Sequence, residues 1–169
     1  MLLPVFFLLH DIVGNMILVL DTDVPVSGLR SNVGASRVLL LAVAAGEVTP
    51  LVSVGTVLEY EAVLKRPAIL RATCLTDVDV DDFLDDFIAH AREVETDFRY
   101  RPLVRDPDDE MFMELAINGQ AAALVSFNLA DFRPVDRSGP DLPVCRPGEI
   151  LRRLAWRPSV ISRFGFPRP

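Results

Sequence analysis

Cysteine is scarce: only Cys74 and Cys145 occur, far apart and without a CxxC or histidine-partner spacing. That excludes a disulfide framework and gives no support for a zinc site; a reducing, cytoplasmic setting is expected. Lysine is scarcer still, with Lys65 alone, so the basic chemistry rests on arginine, whose planar guanidinium suits bidentate phosphate contacts. A long hydrophobic run is also missing. MLLPVFFLLH at the N-terminus lacks a basic flank and a small-residue cleavage site, and it is too short to span a bilayer. Residues 1–15 are therefore read as an appendage or an overextended start, with Met16 as the expected true beginning. No membrane association is expected. Positive charge is likewise not in excess: the net charge is −7, which argues against a protein that simply coats nucleic acid.

What is present is enough for one sizeable core, 169 residues at 50% hydrophobic content. The average charge conceals a division. Residues 76–114 carry 14 Asp/Glu against 4 Arg, whereas residues 133–169 carry 8 Arg against 3 Asp/Glu. Acidic and basic functions are thus expected to be separated in space.

Hydrophobic periodicity suggests the elements. ILVL (17–20) reads as a strand buried on both faces, as in a parallel sheet. SGLRSNVG is punctuation, SRVLLLAVAAGE is helical with a stop at Gly46, and VTPLVS (48–53) is a second strand. GTVLEYEAVLKRP spaces Val57, Tyr60, Val63 and Leu64 as a helix that Pro67 ends. TDVDVDDFLDDFIAHAREVE (76–95) reads as a helix capped by Thr76, its apolar face Val80, Phe83, Leu84, Phe87 and Ile88 and its acids a solvated face. A further helix opens at DPDD, AAALVS (121–126) is a third strand, LPVC (142–145) a fourth, and PGEILRRLAW (147–156) a closing helix. This alternation predicts an α/β fold of three α/β/α layers around a mainly parallel sheet. Residues 157–169, with three prolines and no period, are expected to be an irregular tail.

In such sheets, sites form beyond the carboxyl ends of the strands. Asp21 and Asp23 leave the end of the first strand, and Asn128 and Asp131 leave the third; Asp106, Asp108 and Asp109 sit at a helix start, and Glu59 lies on the helix after the second strand. Each has an ordinary reading: Asp21 as an Asx turn, Asp108 and Asp109 as capping or first-turn acids, Glu59 as a solvated helix residue, Asp131 as a cap. Together, carboxylates converging on one edge repel and raise one another's pKa unless a cation shares the site. Mg²⁺ or Mn²⁺ suits that role, held by a few carboxylates with waters and substrate phosphate. Such a cation can activate water against a phosphodiester.

Four segments, LVLDTDVPVSGL, SVGTVLEYEAVLKRP, RDPDDEMFMELA and ALVSFNLADF, resemble in order and spacing the motifs of PIN-domain proteins, in particular the VapC-like toxin branch of bacterial toxin–antitoxin pairs. The likeness covers about residues 16–155. It implies a three-layer metal-dependent endoribonuclease acting on RNA, Mg²⁺ or Mn²⁺ as cofactor, and often an antitoxin partner; a homodimer is also compatible. By the resemblance, Asp21 takes the first acidic place, Glu59 the second, Asp109 the third with Asp106 and Asp108 close by, and Asp131 the fourth, as catalytic and metal-binding residues. Asn128 stands where many members carry another aspartate, Ser126 beside it could bond a ligand or water, and Arg30 is a candidate RNA contact. Two positions depart from the pattern: Asp23 replaces a usual asparagine, as a protonated or metal-contacting substitute, and Pro25 replaces a small or aliphatic residue.

The Asp-x-Asp ending of the first strand also looks like the first motif of haloacid-dehalogenase-type phosphatases, with Asp21 as nucleophile and Lys65 the only available lysine. A third reading keeps the PIN fold as a scaffold that binds RNA or protein without turnover.

Overall fold

Asp21 and Ser126 are 105 residues apart, yet their side chains meet; the sheet topology makes this possible. The computed structural model describes residues 15–95, 104, 107–133 and 141–155, with only the backbone described for residues 107, 108 and 155. The expected N-terminal appendage through residue 14, the tail from residue 157, and Asp106 lie outside the described residues.

Among the described residues five strands, β1 (Met16–Leu20), β2 (Val48–Val52), β3 (Arg92–Glu93), β4 (Ala123–Val125) and β5 (Val144–Cys145), form one sheet in the order β3-β2-β1-β4-β5. Each of these pairings is parallel. The chain builds outward from β1 to β2 and β3, then returns to place β4 on the other side of β1. That reversal puts a topological switch point between β1 and β4, where diverging connections leave a crevice at the strand ends. Leu20 pairs with Val125, so the residues following these two strands leave the sheet side by side.

Leu18, Val19 and Leu20 in β1 and Ala123, Leu124 and Val125 in β4 are all buried. Successive strand side chains point to opposite faces, so both faces of the sheet must be covered. Seven helices among the described residues do this, giving the expected three-layer α/β/α arrangement: α1 (Asp23–Arg30), α2 (Ala35–Ala44), α3 (Val54–Leu64), α4 (Pro67–Thr73), α5 (Asp77–Ala89), α6 (Pro107–Asn118) and α7 (Pro147–Ala155). Tyr60 of α3 packs edge-on against Phe87 of α5, 5.8 Å between centroids, and tilted against Phe112 of α6 at 5.9 Å. Phe87 and Phe112 are therefore core residues, and Phe83 is partly buried against the same core.

The local chemistry explains both the agreements and the departures. Thr76 caps α5 as expected, accepting from the Asp79 N–H at 3.2 Å while the Asp79 carboxylate accepts from the Thr76 N–H at 2.8 Å. Ser53 and Thr56 make the equivalent box at the start of α3. The expected single helix over 76–95 instead stops at Ala89, and Arg92–Glu93 pairs with Leu51 and Val52 as an edge strand. Pro67 does not merely end a helix: it opens α4, in the first helical position where its missing N–H costs nothing.

The stretch after β1, expected to be punctuation, holds α1 instead, with Pro25 in its first turn. The absent donor is one of the unpaired helix-start groups in any case. Gly28 lies where α1 crosses α2: a Cβ there would meet Leu40 Cδ1 at 2.6 Å and the Ser36 carbonyl at 3.1 Å.

Candidate active site

Asp21 follows the last residue of β1 and is 7% exposed. One of its oxygens accepts from the Thr22 N–H at 2.7 Å and the Thr22 hydroxyl at 3.3 Å, and the other accepts from the Ser126 hydroxyl at 2.7 Å. Asp23, the first residue of α1, has Oδ2 at 3.1 Å from the same hydroxyl and accepts from the Phe127 N–H at 2.8 Å. Ser126 Oγ in turn accepts from the Asn128 N–H at 2.9 Å. The Asn128 side-chain amide donates to Asp131. One continuous polar network thus joins the end of β1 to the end of β4, containing Asp21, Asp23, Ser126, Asn128 and Asp131.

Burial is the main force acting on the two nearest acids. It pushes the Asp21 carboxyl above its ordinary range against the hydrogen bonds from Ser126 and Thr22, and the charge of Asp131 adds to the rise. Asp23 is raised by burial and then by the charge of Asp21, to about 6, against the bonds from Phe127 and Ser126. Ser126 has one proton to share between two carboxylates, so without a cation the arrangement is best satisfied when Asp23 is itself protonated. Asp23 would then donate to Ser126 and Ser126 to Asp21.

The other Asp23 oxygen, Oδ1, is buried with no hydrogen-bond partner. An unsatisfied carboxylate oxygen next to a second carboxylate is a costly feature for a fold that needs only stability. Its chemistry fits a hard divalent cation, which takes oxygen donors from one or two carboxylates and fills its shell with water and substrate phosphate. Among the described residues, no three histidine, cysteine or carboxylate side chains are arranged to hold an ion by themselves. Asp21 and Asp23 can therefore contribute only part of a coordination shell.

The remaining expected site residues are placed differently. Glu59, one-third exposed, faces Arg66 at 4.0 Å. Its neighbour Tyr60 is fully buried and donates to the Leu20 carbonyl, fastening α3 to the end of β1 next to Asp21; burial and the charge of Asp21 both hold its phenol protonated. Sequence reasoning assigns Tyr60 only to the core, although a buried tyrosine hydroxyl ordinarily has a partner. Asp109 is half-buried in the first turn of α6 and has an interaction of its own there. For Asp108 the backbone alone is described. Arg30 is the last residue of α1, seven residues beyond Asp23, roughly 10 Å along the helix axis. Lys65, which a phosphatase would need beside Asp21, is held by Glu61 at 2.9 Å and Asp81 at 2.5 Å.

A family model described as the PIN domain matches residues 17–130. The match runs from β1 through the β4 loop and takes in the whole polar network apart from Asp131. The chain belongs to the PIN-domain family, whose general chemistry is metal-dependent cleavage of nucleic acid. No curated protein and no solved structure matches the chain. No helix among the described residues is long and apolar enough to cross a membrane.

Proposed function

We propose that this protein is a metal-dependent endoribonuclease acting in the cytoplasm, the toxin component of a toxin–antitoxin pair. The observation that carries this reading is the Asp21–Ser126–Asp23 bridge at the β1/β4 switch point, with its partnerless carboxylate oxygen, in a chain of the PIN family. The toxin role is supported by the order and spacing of the four motifs. A protein antitoxin and a homodimer belong to the same proposal, and the mass of the purified complex distinguishes them.

Asp21 and Asp23 would hold Mg²⁺ or Mn²⁺ from the β1 side, with Asp131 contributing from the β4 loop. Glu59 and Asp109 are the additional acids proposed to act in catalysis and metal binding. When bound, the cation supplies neutralisation of charge on the scissile phosphate and activation of water. The chain's own residues do the positioning. Thr22 fixes one Asp21 oxygen and Ser126 the other, which holds that carboxylate in a single orientation; Asn128 donates to one oxygen of Asp131. Arg146, directly after β5, and Arg133, eight residues past the end of β4, are exposed and are proposed to offer an incoming phosphate backbone opposing charge.

The test is cleavage of single-stranded RNA with Mn²⁺ or Mg²⁺ by the wild-type protein and by Asp21→Asn, with Mn²⁺ binding measured by calorimetry. Cleavage that requires the metal and Asp21 is expected. Absence of Mn²⁺ binding by the folded protein, or undiminished cleavage by the variant, overturns the reading.

A further inference from the structure

Two phenylalanines lie in the short segment Phe-Asn-Leu-Ala-Asp-Phe after β4, and they have opposite fates. Phe132 is 1% exposed and joins the core, whereas Phe127 is 44% exposed. Among the described residues no other aromatic ring is as open to solvent. Its backbone is nevertheless tightly held: the Phe127 N–H donates to Asp23, and the next N–H, that of Asn128, donates to Ser126. The ring is thus carried on a clamped backbone at the rim of the acidic network.

A surface phenylalanine gains nothing from water, and the core of this segment is already filled by Phe132. The site beside it also has a binding problem. Several carboxylates repel a polyanion, and the net charge is −7, so affinity cannot rest on charge alone. Stacking of a nucleobase on an aromatic face is independent of charge and requires a base that has left its own stack.

We infer that Phe127 is the platform on which a nucleobase flanking the cleaved phosphate stacks, so that the site takes single-stranded nucleic acid and rejects the paired helix. This rests on the nuclease reading above and adds a substrate-positioning residue to it. Phe127 is a binding residue here; the acids remain the groups that act on phosphate.

The experiment compares wild type with Phe127→Ala, Phe127→Leu and Phe127→Tyr. Fluorescence anisotropy in chelator reads binding of a single-stranded RNA of about ten nucleotides, the same RNA annealed to its complement, and an abasic strand of equal length; KM and kcat are read with Mn²⁺. Phe127→Ala should weaken binding of the single strand and raise KM by roughly five- to hundredfold, with kcat within about twofold. Tyrosine should restore binding and leucine should not, which separates stacking from simple apolar contact. The wild type should bind the duplex and the abasic strand about as weakly as the alanine variant binds the single strand. Equal binding of single strand, duplex and abasic strand, or full affinity in Phe127→Ala, overturns the inference while the nuclease reading stands if RNA is still cut. Failure of the wild type to bind or cut any RNA removes both.

Discussion

Replacing Asp23 by asparagine should stabilise the metal-free protein, and the gain should appear only as pH rises. Asp23 carries a pKa of about 6 in the fold against an ordinary 3.8. Between these values the unfolded chain has already lost its proton while the folded chain keeps it. The native state therefore binds more protons than the unfolded state, and stability falls as pH rises. The contribution is fully present below about pH 4 and is lost on passing through about pH 6. At about 1.4 kcal/mol per unit the full shift is on the order of 3 kcal/mol; water reaching a carboxylate at the rim trims this to about 2 kcal/mol.

The Asp23→Asn substitution removes the titration but can preserve the geometry. The introduced amide's carbonyl can accept from Phe127, and its NH₂ group can donate toward Ser126 or Asp21. The assay is urea unfolding of wild type and Asp23→Asn in chelator from pH 4 to pH 8. The difference between the two curves isolates this group from the other carboxylates. It should be near zero at pH 4 and reach about 2 kcal/mol in favour of the variant by pH 7.5. With Mn²⁺ at about a hundred times its dissociation constant, the wild type should recover about 2.7 kcal/mol through linkage, and a variant lacking a ligand should recover less. A difference that is flat with pH, or that favours the wild type in chelator, would refute the claim that Asp23 is a buried charge awaiting a counterion.

Gly28→Ala should lower stability by about 1–2 kcal/mol: overpacking against Leu40 and the Ser36 carbonyl outweighs the roughly 1 kcal/mol gained in helix propensity. A rise in thermal midpoint would show that α1 and α2 are less closely apposed than this. Lys65→Met should leave RNA cleavage unchanged, because the ammonium is committed to Glu61 and Asp81; a collapse of activity in a folded variant would place Lys65 in the chemistry. Charge reversal of Arg133 and Arg146 together should weaken RNA binding and flatten its dependence on salt by about two units of the log–log slope. Unchanged binding across the salt series would remove those two arginines from the nucleic-acid path.

The sheet was legible where physical chemistry is local and redundant. An apolar run with no polar interruption, ending in Asp21, can hardly be anything other than a strand covered on both sides. Thr76 with Asp79 three residues on similarly announces a helix start. Elements that depend on distant partners were hidden. Arg92 and Glu93 are exposed and polar, and they form a strand only because the β2 edge beside them has free backbone groups. In α1, Val-Pro-Val-Ser-Gly carries two residues usually taken as breakers. The proline is harmless in the first turn, and the glycine is needed for contact with α2, a reason invisible until α2 is in place.

The site divides in the same way. That Asp21 and Asp131 follow strands could be read from pattern, since hydrophobic periodicity locates strand ends to within a few residues. Which ends are neighbours could not, because adjacency is set by the order β3-β2-β1-β4-β5 and not by distance along the chain. Once β4 lies against β1, Ser126 must stand beside Asp21, and an aspartate two residues further on comes within reach of the same hydroxyl. The aspartate at position 23 then acquires a specific physical meaning. It adds a negative charge at the place where burial already resists one, a cost to the metal-free fold that the proposed cation would offset. Under the proposed metal-dependent reading part of the fold's stability would rest on the cation, and the stability of this protein should depend more steeply on metal concentration than that of a variant with asparagine at position 23.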